Sequence, residues 1–127
     1  MKLNRMTALV AACALAAACA SSGSRPTNAP RRERSVITQE EIDETKASDA
    51  YGVVRAARPA WLLQRVVGSS RQSVTVYVEG NRAGGVTVLQ QYNAMQIREL
   101  RLLSGEEATT RFGTGNGAGA ILVFLRR

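Results

Sequence analysis

The sequence predicts one small α+β domain with a mixed β-sheet and two or three short helices. Alternating residues typical of half-buried strands run from Ser73 to Glu79 and from Ile97 to Leu103. Helix-start signals lie at Thr38 and at Ser48-Asp49, ahead of those strands. Helices that alternate with strands in a chain of 127 residues indicate one α+β sandwich with a mixed sheet.

Two short helices are expected at the start of the domain, near Val36. Thr38 and Glu41 fit a capping box, which predicts a helix to about Ala47. Ser48-Asp49 can cap a second helix, and Pro59 should break or kink it, since proline removes a donor and clashes with the preceding turn. The predicted apolar face of this helix is Tyr51, Val54, Ala57, Trp61 and Arg65. Its register favours core positions for Tyr51 and Trp61 over a ligand site.

Turns and strands are predicted for the second half of the chain. Gly80-Asn81 is a turn signal after the first strand, and Leu89–Met95 should include a helical turn. In the strand Ile97–Leu103, alternation places Ile97, Glu99, Arg101 and Leu103 on one face. Gly105–Arg111 is expected to be a short helix or turn. Ala120–Leu125 is a continuous apolar run, typical of a central strand that is buried on both faces.

Two motifs invite functional interpretations that their context disfavours. The glycine-rich run Gly113–Gly119 resembles a phosphate loop, but it opens a strand and no P-loop lysine follows, so a turn is favoured. Glu106 and Glu107 could be an acid/base pair, but adjacent residues do not face each other on a helix. Two acids in a first helical turn are better explained by the helix dipole.

The N-terminus is predicted to be a lipoprotein signal peptide, residues 1–18, with Cys19 as the lipidated residue. Lys2 and Arg5 precede an apolar run that is too short to span a bilayer, and small residues lead into the cysteine. Cys13 is an alternative lipidation site, although it would leave a very short apolar region. Cleavage of an ordinary secretory signal near Ala18 or Ala20 is a third interpretation. Residues 19–35 are expected to form a flexible, basic tether.

Composition excludes several function classes. The chain has no histidine, and both of its cysteines lie in the N-terminal segment, so Cys/His zinc sites and histidine-based catalysis are excluded. We therefore expect no metal, no cofactor and no enzymatic activity. The net charge of +7 comes largely from the termini and lacks a basic stripe with interleaved aromatics, so no nucleic-acid partner is expected. The tether could lie against anionic headgroups, or it could simply be a basic linker.

Two blocks of sequence resemble the plug domain of TonB-dependent outer-membrane receptors. The first is Val76–Gly80, VYVEG, which is similar to the family's Val-Tyr-Val-Asp-Gly hairpin entry. The second is Ile97–Val123, similar to the family's order of strand, short helix, Tyr-Gly pair, Gly-rich turn and apolar strand. This chain departs from the family pattern at three positions. Glu79 stands where the family usually has Asp, Phe112 where it usually has Tyr, and Arg101 where it usually has Glu. The resemblance covers roughly residues 36–127 and implies a plug-like domain. We expect it to stand without a barrel, because 127 residues cannot supply one.

The resemblance implies a lipid-anchored, non-enzymatic interaction module at the outer membrane, facing the periplasm. Ala20 after the cysteine lacks the Asp that favours retention in the inner membrane. The expected partner is an envelope protein, such as a receptor barrel or a TonB-type protein, bound through loop tips or a sheet edge. The candidate interaction residues are Glu79, Gly80, Asn81, Arg82, Arg101, Phe112, Gly113 and Asn116. Alternatives are a carrier of a siderophore or glycan on the loops Gly80–Gly85 and Gly113–Gly119, and a degenerate receptor remnant.

Overall fold

The computed structural model describes residues 34–127, which form an α+β fold. The predicted signal peptide, Cys13 and Cys19 lie outside these residues, as does all of the predicted tether except Arg34 and Ser35. The strands are β1 (Val36–Ile37), β2 (Arg65–Val67), β3 (Ser70–Gln72), β4 (Thr75–Val78), β5 (Asn81–Gly84), β6 (Ile97–Leu103) and β7 (Ala120–Leu125). The α-helices are α1 (Gln39–Thr45), α2 (Ala50–Ala57) and α3 (Gly105–Phe112). Short 3₁₀ helices are Pro59–Leu62, Val86–Gln91 and Ala94–Gln96. Among the described residues no helix has the length and apolar character needed to cross a membrane.

Five of the strands form one mixed sheet in the order β1-β6-β7-β4-β5, and β2 and β3 form a separate hairpin. Strands β4 and β7 are parallel, and the other neighbouring pairs are antiparallel. The mixed sheet confirms the predicted fold class. It also confirms that Ala120–Leu125 is a central strand: Ile121 and Val123 belong to one buried cluster, and Ala120 and Leu122 belong to another.

The two buried clusters lie on opposite faces of the sheet. On one face α1, α2 and the 3₁₀ segments cover the larger core, in which Ile37, Val53, Val54, Leu89, Leu100 and Ile121 are fully buried. On the other face α3 covers a smaller core of Tyr77, Ala108, Ala120 and Leu122. Because α3 has only eight residues, it covers part of its face.

The N-terminal helices follow the predicted signals up to the proline. The Glu41 carboxylate accepts a hydrogen bond from the Thr38 N–H at 3.3 Å, and the Asp49 side chain accepts one from the Gly52 N–H at 2.7 Å. As expected for the break before Pro59, α2 ends at Ala57. The inclusion of Arg65 in this helical face is wrong. After the 3₁₀ helix Pro59–Leu62 the chain becomes extended, and Arg65 is the first residue of β2. Its guanidinium donates a hydrogen bond to the Ala118 carbonyl at 2.6 Å.

The bounds of β6 are as predicted, but the assignment of its faces is wrong at one end. Ile97 and Leu100 are both fully buried in the larger core, although simple alternation puts them on opposite faces. The pairing with β7 shifts register between Ile97 and Glu99, which is a β-bulge. One extra residue in a strand reverses the facing of all residues beyond it. Ile97 therefore lies on the Leu100 side, while Glu99 and Arg101 share the face of α3.

Candidate functional site: the β4–β5 hairpin and the open sheet edge

A tight hairpin joins β4 to β5 at the predicted turn. Val78 and Asn81 are register partners, so Glu79 and Gly80 alone form the loop. Both have positive φ angles, 49° and 84°, as a two-residue type I′ turn requires. The turn thus lies one residue earlier than the Gly80-Asn81 signal suggests, and Asn81 is the first residue of β5.

Glu79 adopts a backbone conformation that non-glycine residues rarely adopt. Its N–H donates to the Val123 carbonyl at 3.0 Å, and its carboxylate Oε1 accepts from the Leu125 N–H at 2.6 Å. Both bonds tie the hairpin to the end of β7, the strand next to β4. The exposed Glu79 side chain therefore positions the hairpin.

Strand β5 is an edge of the five-stranded sheet, with β4 as its one neighbour there. Asn81 and Arg82 are exposed, and Ala83 and Gly84 are half-buried. In a two-residue hairpin the residues that flank the loop bond to each other, so the N–H and C=O of the following residue, Arg82, point away from β4. The structure thus offers an unpaired backbone donor and acceptor at Arg82, next to the exposed hairpin loop.

The opposite edge of the sheet is protected. Strand β1 has two residues, both buried, and α1 follows it directly. The Arg58 guanidinium donates to the Val36 carbonyl at 3.3 Å and forms an ion pair with Glu41 at 3.1 Å. Short strands and occupied carbonyls are ways in which proteins prevent pairing at an edge. Of the two edges, β5 is the one open to a further strand.

The glycine-rich loop before β7 is held by buried side chains. Asn116 is 2% exposed, accepts a hydrogen bond from the Tyr77 hydroxyl at 3.0 Å and donates to the Gly113 carbonyl at 3.0 Å. Phe112 stacks on Tyr77 with ring centroids 3.8 Å apart. Of the candidate interaction residues in this region, Asn116 and Phe112 thus stabilise the loop through side-chain contacts, whereas Gly113 is exposed. The run follows α3 and opens β7, which confirms that it is a turn.

The hairpin tip and Gly119 lie at opposite ends of β4. The Gly119 carbonyl accepts from the Thr75 N–H at 3.1 Å, at the start of β4, whereas Gly80 follows its last residue. Four strand residues span roughly 13 Å. Arg101 is also remote from the hairpin, because β6 is two strands from β4, and it pairs with Glu99 at 2.9 Å. The structure therefore groups Glu79, Gly80, Asn81 and Arg82 and separates them from Arg101.

Sequence reasoning missed a polar cleft of about 560 Å³ where α1 meets α2. Asp49, Tyr51, Arg55 and Gln90 contribute to its lining. No signal marked it, because Gln90 comes from a 3₁₀ segment far along the chain. Tyr51 is half-buried at this cleft, whereas Trp61 is 3% exposed and is a core residue, as predicted.

Glu106 and Glu107 lie in the first turn of α3, where the sequence placed them. The Glu107 carboxylate accepts from the Ser104 N–H at 2.8 Å, and its own N–H donates to the Ser104 hydroxyl at 3.2 Å. Hydrogen bonding to the carboxylate from the Ser104 backbone, and secondly from the Ser104 side chain, holds the pKa of Glu107 below its usual value. Glu107 is thus a helix cap. Within residues 34–127 no three Asp, Glu, His or Cys side chains are grouped so that they could hold a metal ion.

Comparison with known proteins leaves the family open: no family model, no curated protein and no solved structure matches this chain. The likeness to receptor plug domains therefore stays a prediction from the sequence motifs.

Proposed function

We propose that this chain is a non-enzymatic, lipid-anchored interaction module of the cell envelope. It is tethered to the outer membrane through Cys19 and faces the periplasm. It binds an envelope protein, a receptor barrel or a TonB-type protein, by adding a strand of that partner to the edge of β5. The plug-like motifs VYVEG and Ile97–Val123 and the lipoprotein signal support the class of partner and the location.

The observation that carries the proposal is the asymmetry of the sheet edges. Strand β1 is short and its Val36 carbonyl is occupied by Arg58, whereas β5 directs the backbone groups of Arg82 outward. An extended segment that adds to an open edge gains affinity from main-chain hydrogen bonds and specificity from neighbouring side chains. The exposed Asn81 and Arg82 side chains are placed to provide that specificity.

A photo-crosslinking amino acid at position 81 tests the edge in living cells. The expected result is a discrete adduct with an envelope protein, because the Asn81 side chain stands at the start of the open strand. The matched control is the same amino acid at position 71, since Arg71 is equally an exposed strand residue but belongs to the separate β2–β3 hairpin.

The yield of the adduct should fall when Cys19→Ala is combined with a cleavable secretory signal, because the protein then loses its anchor. An adduct of equal yield at positions 71 and 81 would show that contact at β5 is not specific. Absence of any adduct at position 81, with the protein abundant and folded, would remove the support for strand addition.

A second proposal, carriage of a siderophore or glycan, is favoured by the cleft between α1 and α2. Its volume lies within the range of small-molecule sites, and Tyr51 supplies an aromatic surface beside the charged Asp49 and Arg55. Absence of heat in calorimetry with a panel of such ligands would count against carriage.

A further inference from the structure

The two faces of β5 present different side chains to a strand that adds to its edge. Arg82 is the register partner of Tyr77, which belongs to the smaller core under α3, so the Arg82 side chain lies on the α3 face. Asn81 is the partner of Val78, and both Val78 and Ala83 pack against the larger core on the other face. An added strand would therefore meet a cation on the α3 face, at the position opposite Arg82.

A second arginine lies beside the same aromatic side chain. Phe112, the last residue of α3, stacks on Tyr77 with ring centroids 3.8 Å apart. The guanidinium carbon of Arg111 is 5.4 Å from the Phe112 centroid, which is within cation–π range. The C-terminal end of α3 thus brings Arg111 close to β4, the strand that pairs with β5. We define the edge cluster as Tyr77, Arg82, Arg111 and Phe112.

The two arginines of the edge cluster have no acidic partner within residues 34–127. Arg82 and Arg111 are exposed, and neither forms an ion pair with another residue of this range. Glu79 is the one acid in residues 50–98. Its carboxylate accepts a hydrogen bond from the Leu125 N–H at 2.6 Å, and Leu125 belongs to β7, on the other side of β4 from β5. The Glu79 carboxylate is therefore directed away from the open edge.

The other acids on the α3 face lie away from this edge. Glu99 pairs with Arg101 on β6, and β7 and β4 lie between β6 and β5, so the two strands are three spacings or roughly 14 Å apart. Glu106 and Glu107 lie in the first turn of α3, at the opposite end of that helix from Phe112. The α3 face as a whole is mixed in charge, but its margin along β5 is cationic.

We propose that the strand that adds to β5 carries an aspartate or glutamate opposite Arg82. The proposal rests on the proposed strand addition and names the chemistry of the partner. Opposite charges that face each other across two strands attract, and like charges repel. Arg111 adds a second positive charge on the same face. A strand with a lysine or arginine at this position is disfavoured, so charge selects among envelope proteins that have an extended segment to offer.

Charge reversal tests the proposal in native envelopes, with the photo-crosslinking amino acid at position 81. The variant Arg82→Glu/Arg111→Glu should lower the yield of the partner adduct about tenfold, because the attraction of both side chains for the acid becomes repulsion. Arg82→Lys/Arg111→Lys keeps both charges and should retain the yield within about threefold. Thermal unfolding should show that these variants are folded.

The matched control is Arg71→Glu/Arg98→Glu, which reverses the same number of charges away from β5. Arg71 is an exposed strand residue, as Arg82 is. The guanidinium carbon of Arg98 lies 5.8 Å from the centroid of the half-buried Phe124, an arrangement like that of Arg111. The control should change the yield of the adduct by less than about twofold, because its charges do not face the added strand.

A charge swap then identifies the acid itself. Mass spectrometry of the adduct should show an Asp or Glu close to the crosslinked residue of the partner, because positions 81 and 82 face neighbouring residues of an added strand. Replacing that acid by lysine in the partner should lower the yield with the unsubstituted chain. The same replacement should restore the yield with Arg82→Glu/Arg111→Glu.

Several outcomes would overturn the acidic strand. These are equal yields from the charge-reversed variant and its control, a captured segment that has no acid near the crosslink, and an adduct with lipid or nucleic acid instead of protein. A protein adduct that survives charge reversal would leave strand addition in place, because strand addition depends on the backbone N–H of Arg82 and not on its charge. Absence of any adduct with the unsubstituted chain would overturn both proposals.

Discussion

Gly105→Ala is expected to lower the free energy of unfolding by about 3 kcal/mol. A Cβ atom at Gly105 would lie 2.0 Å from the Gly117 carbonyl oxygen and 2.7 Å from its carbonyl carbon. Both are backbone atoms, so no side-chain rotation relieves the clash. The first turn of α3 and the glycine-rich loop before β7 would have to separate. For a domain of this size the melting temperature should fall by about 12–24 °C.

The control for Gly105→Ala is Gly85→Ala. A Cβ atom at Gly85 meets nothing within 4 Å, and the φ angle there is −85°. That substitution should change stability by no more than about 1 kcal/mol, in the stabilising direction. Urea denaturation of both variants measures the difference. Equal stability of the two variants would contradict the close contact between α3 and the loop.

Glu41→Ala is expected to lower the free energy of unfolding by about 2–4 kcal/mol. Glu41 is 6% exposed, and its carboxylate accepts hydrogen bonds from the Arg58 guanidinium at 3.1 Å and from the Thr38 N–H at 3.3 Å. Loss of the carboxylate removes a charge partner of Arg58, whose side chain is 17% exposed. Arg58 also bonds to the Val36 carbonyl, so α1, β1 and the end of α2 should all loosen.

Asp43→Ala is the control for Glu41→Ala, because it also breaks an ion pair of α1. Asp43 pairs with Arg126 at 2.9 Å, but their side chains are 59% and 34% exposed. Exposed pairs contribute less than about 1 kcal/mol. Urea denaturation should therefore separate the two variants clearly. If Glu41→Ala were no more destabilising than Asp43→Ala, the Arg58–Glu41 pair would not secure this corner of the fold.

Local signals predicted the local structure of this chain well. The capping acid Glu41, the acidic first turn of α3 and the break before Pro59 depend on neighbouring residues, and the structure has all three. The apolar run of β7 likewise identified a central strand, because burial on both faces leaves no polar alternation. The fold class followed from these elements.

Features that depend on contacts between residues far apart in the chain could not be predicted from the sequence. The bulge after Ile97 exists only in pairing with β7, and the bond from Tyr77 to Asn116 joins residues 39 positions apart. Strand order decides which edge is open, and no local pattern reveals that β4 pairs in parallel with β7. The hairpin residues of the candidate site could be predicted from the turn signal, whereas their position at an open edge could not.

The central claim is that a partner strand adds to β5, and Arg82→Pro tests it most directly. Proline removes the outward N–H of Arg82 and is tolerated at edge strands. Arg82→Ala removes the same side chain but keeps the N–H. Each variant would be crosslinked in native envelopes and recovered with its partner, after thermal unfolding has shown that it is folded. We expect at least about tenfold less partner with Arg82→Pro than with Arg82→Ala, since a partner carbonyl is left without a donor. Equal recovery of partner with the two variants would contradict strand addition at β5.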